Sequence, residues 1–564
     1  MTRTLARAML AVALLPAPLH AQAIQPPQAQ QPPQLFPDQK PPTAALRGRV
    51  FAADSGQPLR KAQVRLLSAD MAAGGARENR LATTDVDGKY EFTALPAGRF
   101  TLTATKGGYV SLGYGQTRPF EPGRPIDVLD AQVLDRVDFT LPRGGVITGR
   151  LVDEFGEPVS NVMVAAMRYT NVGGRRTLVS SVRNAQTDDL GEYRIYGLAP
   201  GDYFVQATSR PPIMAPRPTG GAPGDRSGYA TTFFPGVTDA NDARTVAVGV
   251  SEVIEDVSFA LSSTRTARVS GTAVDSHGQP LAGMLMVIRQ TGGNMSATGA
   301  PLAPDGSFTL PSVAPGEYTL RAQTMGDDVR EIGSLTLSVT SDDITGLRLI
   351  AAPFSPASGR IVMDAAALQQ LNGAPLSVMV LSARPGDFFP GLRPSRVADD
   401  LTFAMSVPPG QMRFQVTGQP AGFGVHAVRV SGVDVTDEGV EVRAGVEIRD
   451  IEIELTTRLT SVSGLVANPR GEAARDFTAI VFSQDPTRWK YPNRYIKIAR
   501  PDQDGRFKVS ALPAGDYYAM AVESIESGRW NDPGFLERAR QGASMFSLMD
   551  GETKTIDLKL QAVR

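Results

Sequence analysis

The chain contains no cysteine. That excludes disulfides, cysteine-ligated zinc, thiol catalysis and a lipid-anchored cysteine. Histidine is almost as scarce, with 3 among 564 residues. His20, His277 and His426 stand far apart, and His277 is followed by a Gly-Gln-Pro turn rather than by a second metal ligand. Neither a G-x-S-x-G elbow nor a P-loop occurs. An excess of charge of one sign is also missing, with 57 Lys and Arg against 58 Asp and Glu. Such a balance offers no broad field to a phosphate backbone, so nucleic acid is not expected as a partner. Only 2 tryptophans are present. No apolar run reaches the ~20 residues that a spanning helix needs.

What the chain does have is glycine and proline, 56 and 43 residues. They suit many turns between short strands. The N-terminus carries Arg3 and Arg7, an apolar stretch from Ala8 to Leu15, and Ala21-Gln22-Ala23. This order reads as a secretory signal over residues 1–23. A Pro/Gln-rich linker over 24–44 follows, with a composition that favours an extended tether. A secreted protein is expected, placed in the periplasm, on the outer surface or outside the cell, with no transmembrane segment in the mature chain.

Beyond the linker the sequence repeats. Each copy opens with Gly and a short apolar strand, followed by a Gly-x-Pro turn that comes later in the fourth copy, at Gly373-Ala374-Pro375, and loses its proline in the fifth, at Gly471-Glu472-Ala473. The openings are Gly48-Arg49-Val50, Gly149-Arg150-Leu151, Gly271-Thr272-Ala273, Gly359-Arg360-Ile361 and Gly464-Leu465-Val466. A second signature is Asp-Gly, an aromatic, alternating apolar residues, then Pro-Ala-Gly or Ala-Pro-Gly and another aromatic. It reads Asp87-Gly88-Lys89-Tyr90 with Pro96-Ala97-Gly98-Arg99-Phe100 in the first copy. It recurs at Tyr193 and Tyr203, at Phe308 and Tyr318, and at Phe507 and Tyr517. The fourth copy is degenerate, with Leu401-Thr402-Phe403 and Pro408-Pro409-Gly410. Asp-Gly makes a tight turn because glycine accepts positive φ and aspartate caps its own turn. Alternation of apolar residues, as in Ile451-Glu452-Ile453-Glu454-Leu455, marks strands with one buried face.

The expected architecture is all-β. It comprises five tandem β-sandwiches over 45–142, 143–264, 265–353, 354–457 and 458–564, the fourth degenerate. The second carries a Pro/Gly-rich loop from Pro211 to Gly228, and the one strong helical stretch is Gly534 to Gln541, in the fifth.

The two signatures together resemble carboxypeptidase regulatory-like domains, a transthyretin- or prealbumin-like sandwich related to starch-binding domains. The resemblance runs from Leu46 to Arg564 and is weakest in the fourth copy. It implies an Ig-like sandwich serving as an accessory module, and it is the basis for expecting a carbohydrate ligand. The family's catalytic domain has no counterpart here, and no cofactor is implied.

Two sets of candidate residues emerge. Asp85-Val86-Asp87-Gly88 and Asp502-Gln503-Asp504-Gly505 set carboxylates two apart beside glycine. Asp85, Asp87, Asp502 and Asp504 are therefore either calcium ligands or turn formers. Trp489, Tyr491, Tyr495 and Trp530 cluster in the last copy. They form either a flat aromatic binding surface or part of that module's core. The leading functional reading is a non-catalytic envelope or secreted binding protein, with a glycan or an envelope protein as partner. A structural spacer or assembly scaffold is the alternative, and a cryptic hydrolase the third. An isopeptide adhesin is disfavoured, because the opening strands carry no Lys and the closing strands no Asn.

Overall fold

Turn-rich sequence with period-two strands gives a chain whose described residues are mostly strand, with two short α-helices. The computed structural model describes residues 43–564 apart from 69–78, 210–226, 292–293, 325–329, 385–388, 390–391, 421, 491–493 and 563–564. The expected signal, nearly all of the linker, Tyr491 and most of the Pro211–Gly228 loop lie outside these residues. The principal cores gather in five groups, spanning residues 44–141, 147–261, 267–351, 357–455 and 462–558. We refer to them as modules one to five.

Each module is a sandwich of two sheets. In the first sheet the opening strand is central. In module one, Ala44–Ala52 pairs antiparallel with Lys89–Leu95 and parallel with Phe139–Leu141. The same arrangement recurs around Gly145–Val152, Ala267–Val274, Ser355–Val362 and Ser461–Gly464. The second sheet rests on an antiparallel pair, Gln63–Ser68 with Gly98–Thr105 in module one and Thr478–Ser483 with Gly515–Val522 in module five. Alternation puts Tyr90, Phe92 and Leu95 inside, between the sheets. Each such side chain contributes roughly 1.5–3 kcal/mol by its burial.

The repeated opening glycine has a steric cause. Gly48, Gly149, Gly271, Gly359 and Gly464 each lie directly across from the aromatic that follows the Asp-Gly turn, namely Tyr90, Tyr193, Phe308, Phe403 and Phe507. A Cβ at any of these five glycines would stand 1.7–2.2 Å from a closing-strand carbonyl oxygen. Only glycine lets the closing backbone and the cross-strand ring approach together. In modules one and two the aromatic is tyrosine, and its hydroxyl donates to that same carbonyl, Val137 O and Val257 O, at 2.5 Å in both.

The turns repeat as closely. Asp85 Oδ1 accepts from the backbone N–H groups of Asp87 and Lys89 at 2.9 and 2.8 Å. Asp153, Asp188, Asp275, Asn468 and Asp502 each accept in the same i+2, i+4 pattern. Gly88, Gly191, Gly306 and Gly505 then take positive φ, 71–78°. Module four puts Leu401 at this position with φ 65°, so the degenerate copy keeps the turn despite losing its glycine.

The Pro-Ala-Gly-x-Tyr signature is a hydroxyl-to-backbone tie. Tyr203, Tyr318 and Tyr517 donate to the carbonyl four residues back, Ala199, Ala314 and Pro513, at 2.7, 2.8 and 2.7 Å. Burial pushes the Tyr203 phenol up to about 12. Tyr318→Phe is expected to lower module three's stability by about 1 kcal/mol, the net worth of one such bond. Urea denaturation checks this, and an unchanged midpoint would show that the tie is idle.

One expectation needs correction. Besides the helix Pro533–Ala539, in the stretch foreseen from Gly534 to Gln541, module four contains the helix Ala365–Leu371. Asp364 caps it, its Oδ1 accepting from Ala367 N at 2.7 Å, and Ala367 and Leu371 are buried. Seven residues are too few to show helical periodicity in sequence.

Candidate functional site

Module five is where the aromatic candidates lie, and it is also where other modules converge. Trp489 ends the short helical turn Pro486–Trp489, begun by Asp485, whose Oδ1 accepts from Thr487 N at 2.9 Å. The indole is 4% exposed, donates Nε1–H to Ser483 O at 2.8 Å, and meets Phe482 edge-on with ring centroids 5.8 Å apart. Tyr495 is 8% exposed, and the Arg488 guanidinium lies 4.6 Å from its ring centroid. Trp530 is half-buried on the cluster that holds Phe535 and Leu536. The sequence neighbours thus separate, Tyr495 into the sandwich core and Trp489 and Trp530 into the satellite cluster on the outer face of the second sheet.

Tyr495 joins module five to module four. Its hydroxyl donates to Asp437 Oδ2 at 2.7 Å, and Arg494 Nε pairs with Asp437 Oδ1 at 2.8 Å. Arg494 Nη1 also donates to His426 O at 2.9 Å. Burial, then the Asp437 carboxylate, pushes the Tyr495 phenol above its ordinary value.

A second joint links module five to module one. Asp476 receives Arg124 Nη2 at 3.0 Å and Thr117 Oγ1 at 2.9 Å from module one, and Arg500 Nη2 at 2.7 Å from its own module. Burial works to raise the Asp476 carboxyl, but the bonds from Arg124 and Thr117 and the nearby Arg500 charge outweigh it and hold it below the ordinary aspartate value. Arg118 pairs with Glu523 at 2.6 Å, though both side chains are largely exposed, so this pair contributes less than about 1 kcal/mol. Ser527 N donates to Phe120 O at 2.9 Å.

The third joint involves module two. Arg168 lies with its guanidinium 3.4 Å from the Phe120 ring centroid and pairs with Glu526 at 3.0 Å. Thr170 Oγ1 donates to Ser527 O at 3.3 Å. Gly528 is so close that a Cβ there would meet Asn171 O at 2.1 Å. The segment that carries Trp530 is therefore seated against modules one and two.

Asp85, Asp87, Asp502 and Asp504 occupy the Asx turns described above. Asp85 and Asp502 each spend one oxygen on two backbone N–H groups, and Asp87 pairs with Lys89 at 3.1 Å. Among the described residues no group of three or more His, Cys, Asp or Glu side chains is placed to hold a metal ion. His277 sits in the turn begun by Asp275, and His426 Nδ1 lies 3.6 Å from Asp550, at the joint between modules four and five.

The central-strand glycine, its aromatic partner and the turn before it recur from module to module. Residues 45–142 and 268–348 match the carboxypeptidase regulatory-like domain. The regulatory-like signature is thus found in modules one and three. No curated protein matches the chain. Among solved structures, the chain is similar to a streptococcal ancillary pilin at 11% identity, covering 55% of this chain and 98% of the pilin with a TM-score of 0.20. It is similar to GBS52, the minor pilin of Streptococcus agalactiae, at 15% identity, covering 40% of this chain and 98% of that one with a TM-score of 0.21. A third is the Bacillus anthracis TIE protein, at 11% identity, with 72% and 68% covered and a TM-score of 0.13.

The joints were not foreseen from sequence. Arg118 and Glu523 are 405 residues apart, and neither carries a local motif. The one available signal was concentration of Arg, Asp and aromatics in the last copy, which also suits a ligand surface.

Proposed function

We propose that this protein is a non-catalytic structural element of the cell envelope, an assembly scaffold in which module five fastens modules one, two and four together. The observation that carries this reading is the triple joint of module five with modules one, two and four. A row of binding modules on a string needs no such fastening. Here the residues richest in recognition chemistry, Trp489, Tyr495, Arg494 and Arg124, are engaged within and between modules. The N-terminal signal pattern supports export. Among the described residues no helix is long and apolar enough to cross a membrane. Envelope proteins are the partners this reading favours.

Small-angle scattering on the purified chain tests the proposal. A compact particle is expected, expanding when Asp476 and Arg494 are both changed to Ala. A profile of freely jointed beads in the unsubstituted chain would refute it. A glycan array provides the second check: sugar binding abolished by Trp530→Ala would replace the scaffold reading with recognition.

A further inference from the structure

Where modules one, four and five meet, a half-open cavity of about 710 Å3 lies between them. Its lining includes four cationic side chains, Arg99 from module one and Lys497, Arg500 and Lys508 from module five. Phe423 of module four and Leu459, from the segment that leads into module five, also line it. No carboxylate is among the lining residues.

The neighbouring carboxylates are already divided. Asp476 serves Arg500, Arg124 and Thr117, and Asp127 lies 3.2 Å from Arg99 Nε. Glu523 is taken up by Arg118, which also meets Glu121 Oε1 at 3.5 Å, while the buried Glu121 Oε2 has no hydrogen-bond partner. Arg500 is 1% exposed in its side chain, yet its Nε has no hydrogen-bond partner. Lys497 is half-buried, and no carboxylate among the described residues pairs with it. Burial, with Arg494 nearby, holds its ammonium below the ordinary lysine value. Buried donors left open are costly, and such positions are normally filled.

We propose that this cavity binds a small oxyanion, a phosphate or carboxylate group, which ties module five to module one. Four cations without a lining carboxylate and an open N–H on the buried Arg500 guanidinium are what such a group requires. Binding to the folded chain alone would strengthen the joint by mass action. The site depends on the contact of the three modules.

Thermal unfolding of the full chain is the test, in sodium phosphate, sodium glucuronate and sodium chloride at matched ionic strength. The expected result is a saturable rise in melting temperature with phosphate or with glucuronate beyond that in chloride. Which of the two acts tells a phosphate from a carboxylate. In Lys497→Gln the anion's half-saturating concentration should rise about tenfold, the value of one charge-assisted hydrogen bond. Without anion, the same variant should melt at the same temperature or higher, because an unpaired ammonium has been removed; a purely structural lysine would give the opposite. Lys508→Gln, at an exposed position, carries the same readout if Lys497→Gln does not fold. No rise beyond chloride, or an equal rise in the unsubstituted chain and both variants, would overturn the proposal. Scattering on the same samples shows whether the modules stay joined, which separates loss of the anion site from failure of the scaffold reading.

Discussion

Asp476→Ala is expected to destabilise module five and release it from module one, at a cost of about 2–3 kcal/mol. The substitution removes the carboxylate from Arg500, whose side chain is 1% exposed, and from Arg124, at 24%. Stripping one partner from a buried pair costs about 3–5 kcal/mol, because the remaining charge is left without compensation. Asp476 is itself 35% exposed, so water recovers part of that and the lower figure applies. Urea denaturation followed by tryptophan fluorescence reads the change, since both tryptophans belong to this module. Asp476→Asn keeps an acceptor for Thr117 without the charge and should fall between the two.

Acid should act on the same joint. The Asp476 carboxyl titrates lower in the folded chain than in the unfolded one. Its contribution is therefore complete above the ordinary aspartate value of about 4 and is lost as pH falls through the depressed folded value. Stability of the unsubstituted chain should drop below about pH 4 more steeply than that of Asp476→Asn. Parallel acid profiles would show that Asp476 does not carry the joint.

The second large effect is expected at the opening glycine of the same module. A Cβ at Gly464 would stand 1.7 Å from Ile556 O and 3.1 Å from the Phe507 ring. Phe507 is fully buried, so neither neighbour can yield cheaply. Gly464→Ala should cost about 3 kcal/mol or more, through strand separation or displacement of the ring. Gly471→Ala is the control. Its φ is +82°, but nothing lies within 4 Å of the added carbon. That variant should cost only about 1 kcal/mol, for the left-handed backbone alone. Equal losses in the two would show that conformational freedom, not close approach, keeps glycine at position 464.

These two predictions draw on different layers of the molecule. Gly464, Phe507 and the Asp502 turn were visible in the repeats because each depends on a few adjacent residues and one register. The Tyr517 tie belongs to this class, since its acceptor is only four residues away. The joints belong to another. Nothing in the order Asp476-Phe477-Thr478 says that the carboxylate meets Arg124, 352 positions earlier. Burial of Trp489 was equally hidden, because a tryptophan beside Arg and Lys suits a sugar face as well as a core edge. The helix Ala365–Leu371 was missed for lack of length.

The distance along the chain between joined residues bears on how the protein is made. Arg168 and Glu526 are separated by 358 residues, and Arg118 and Glu523 by 405. Synthesis proceeds from the N-terminus at about 5–20 residues per second, and domains fold largely as units while they emerge. Modules one and two must therefore wait tens of seconds, each already a finished sandwich, before their partner surface leaves the ribosome. During that interval Arg124 and Arg168 lack their module-five partners Asp476 and Glu526 and are open to any chaperone or secretion factor that reads basic surface. Module five, translated after modules one and two, thus ends the exposure of their joint surfaces.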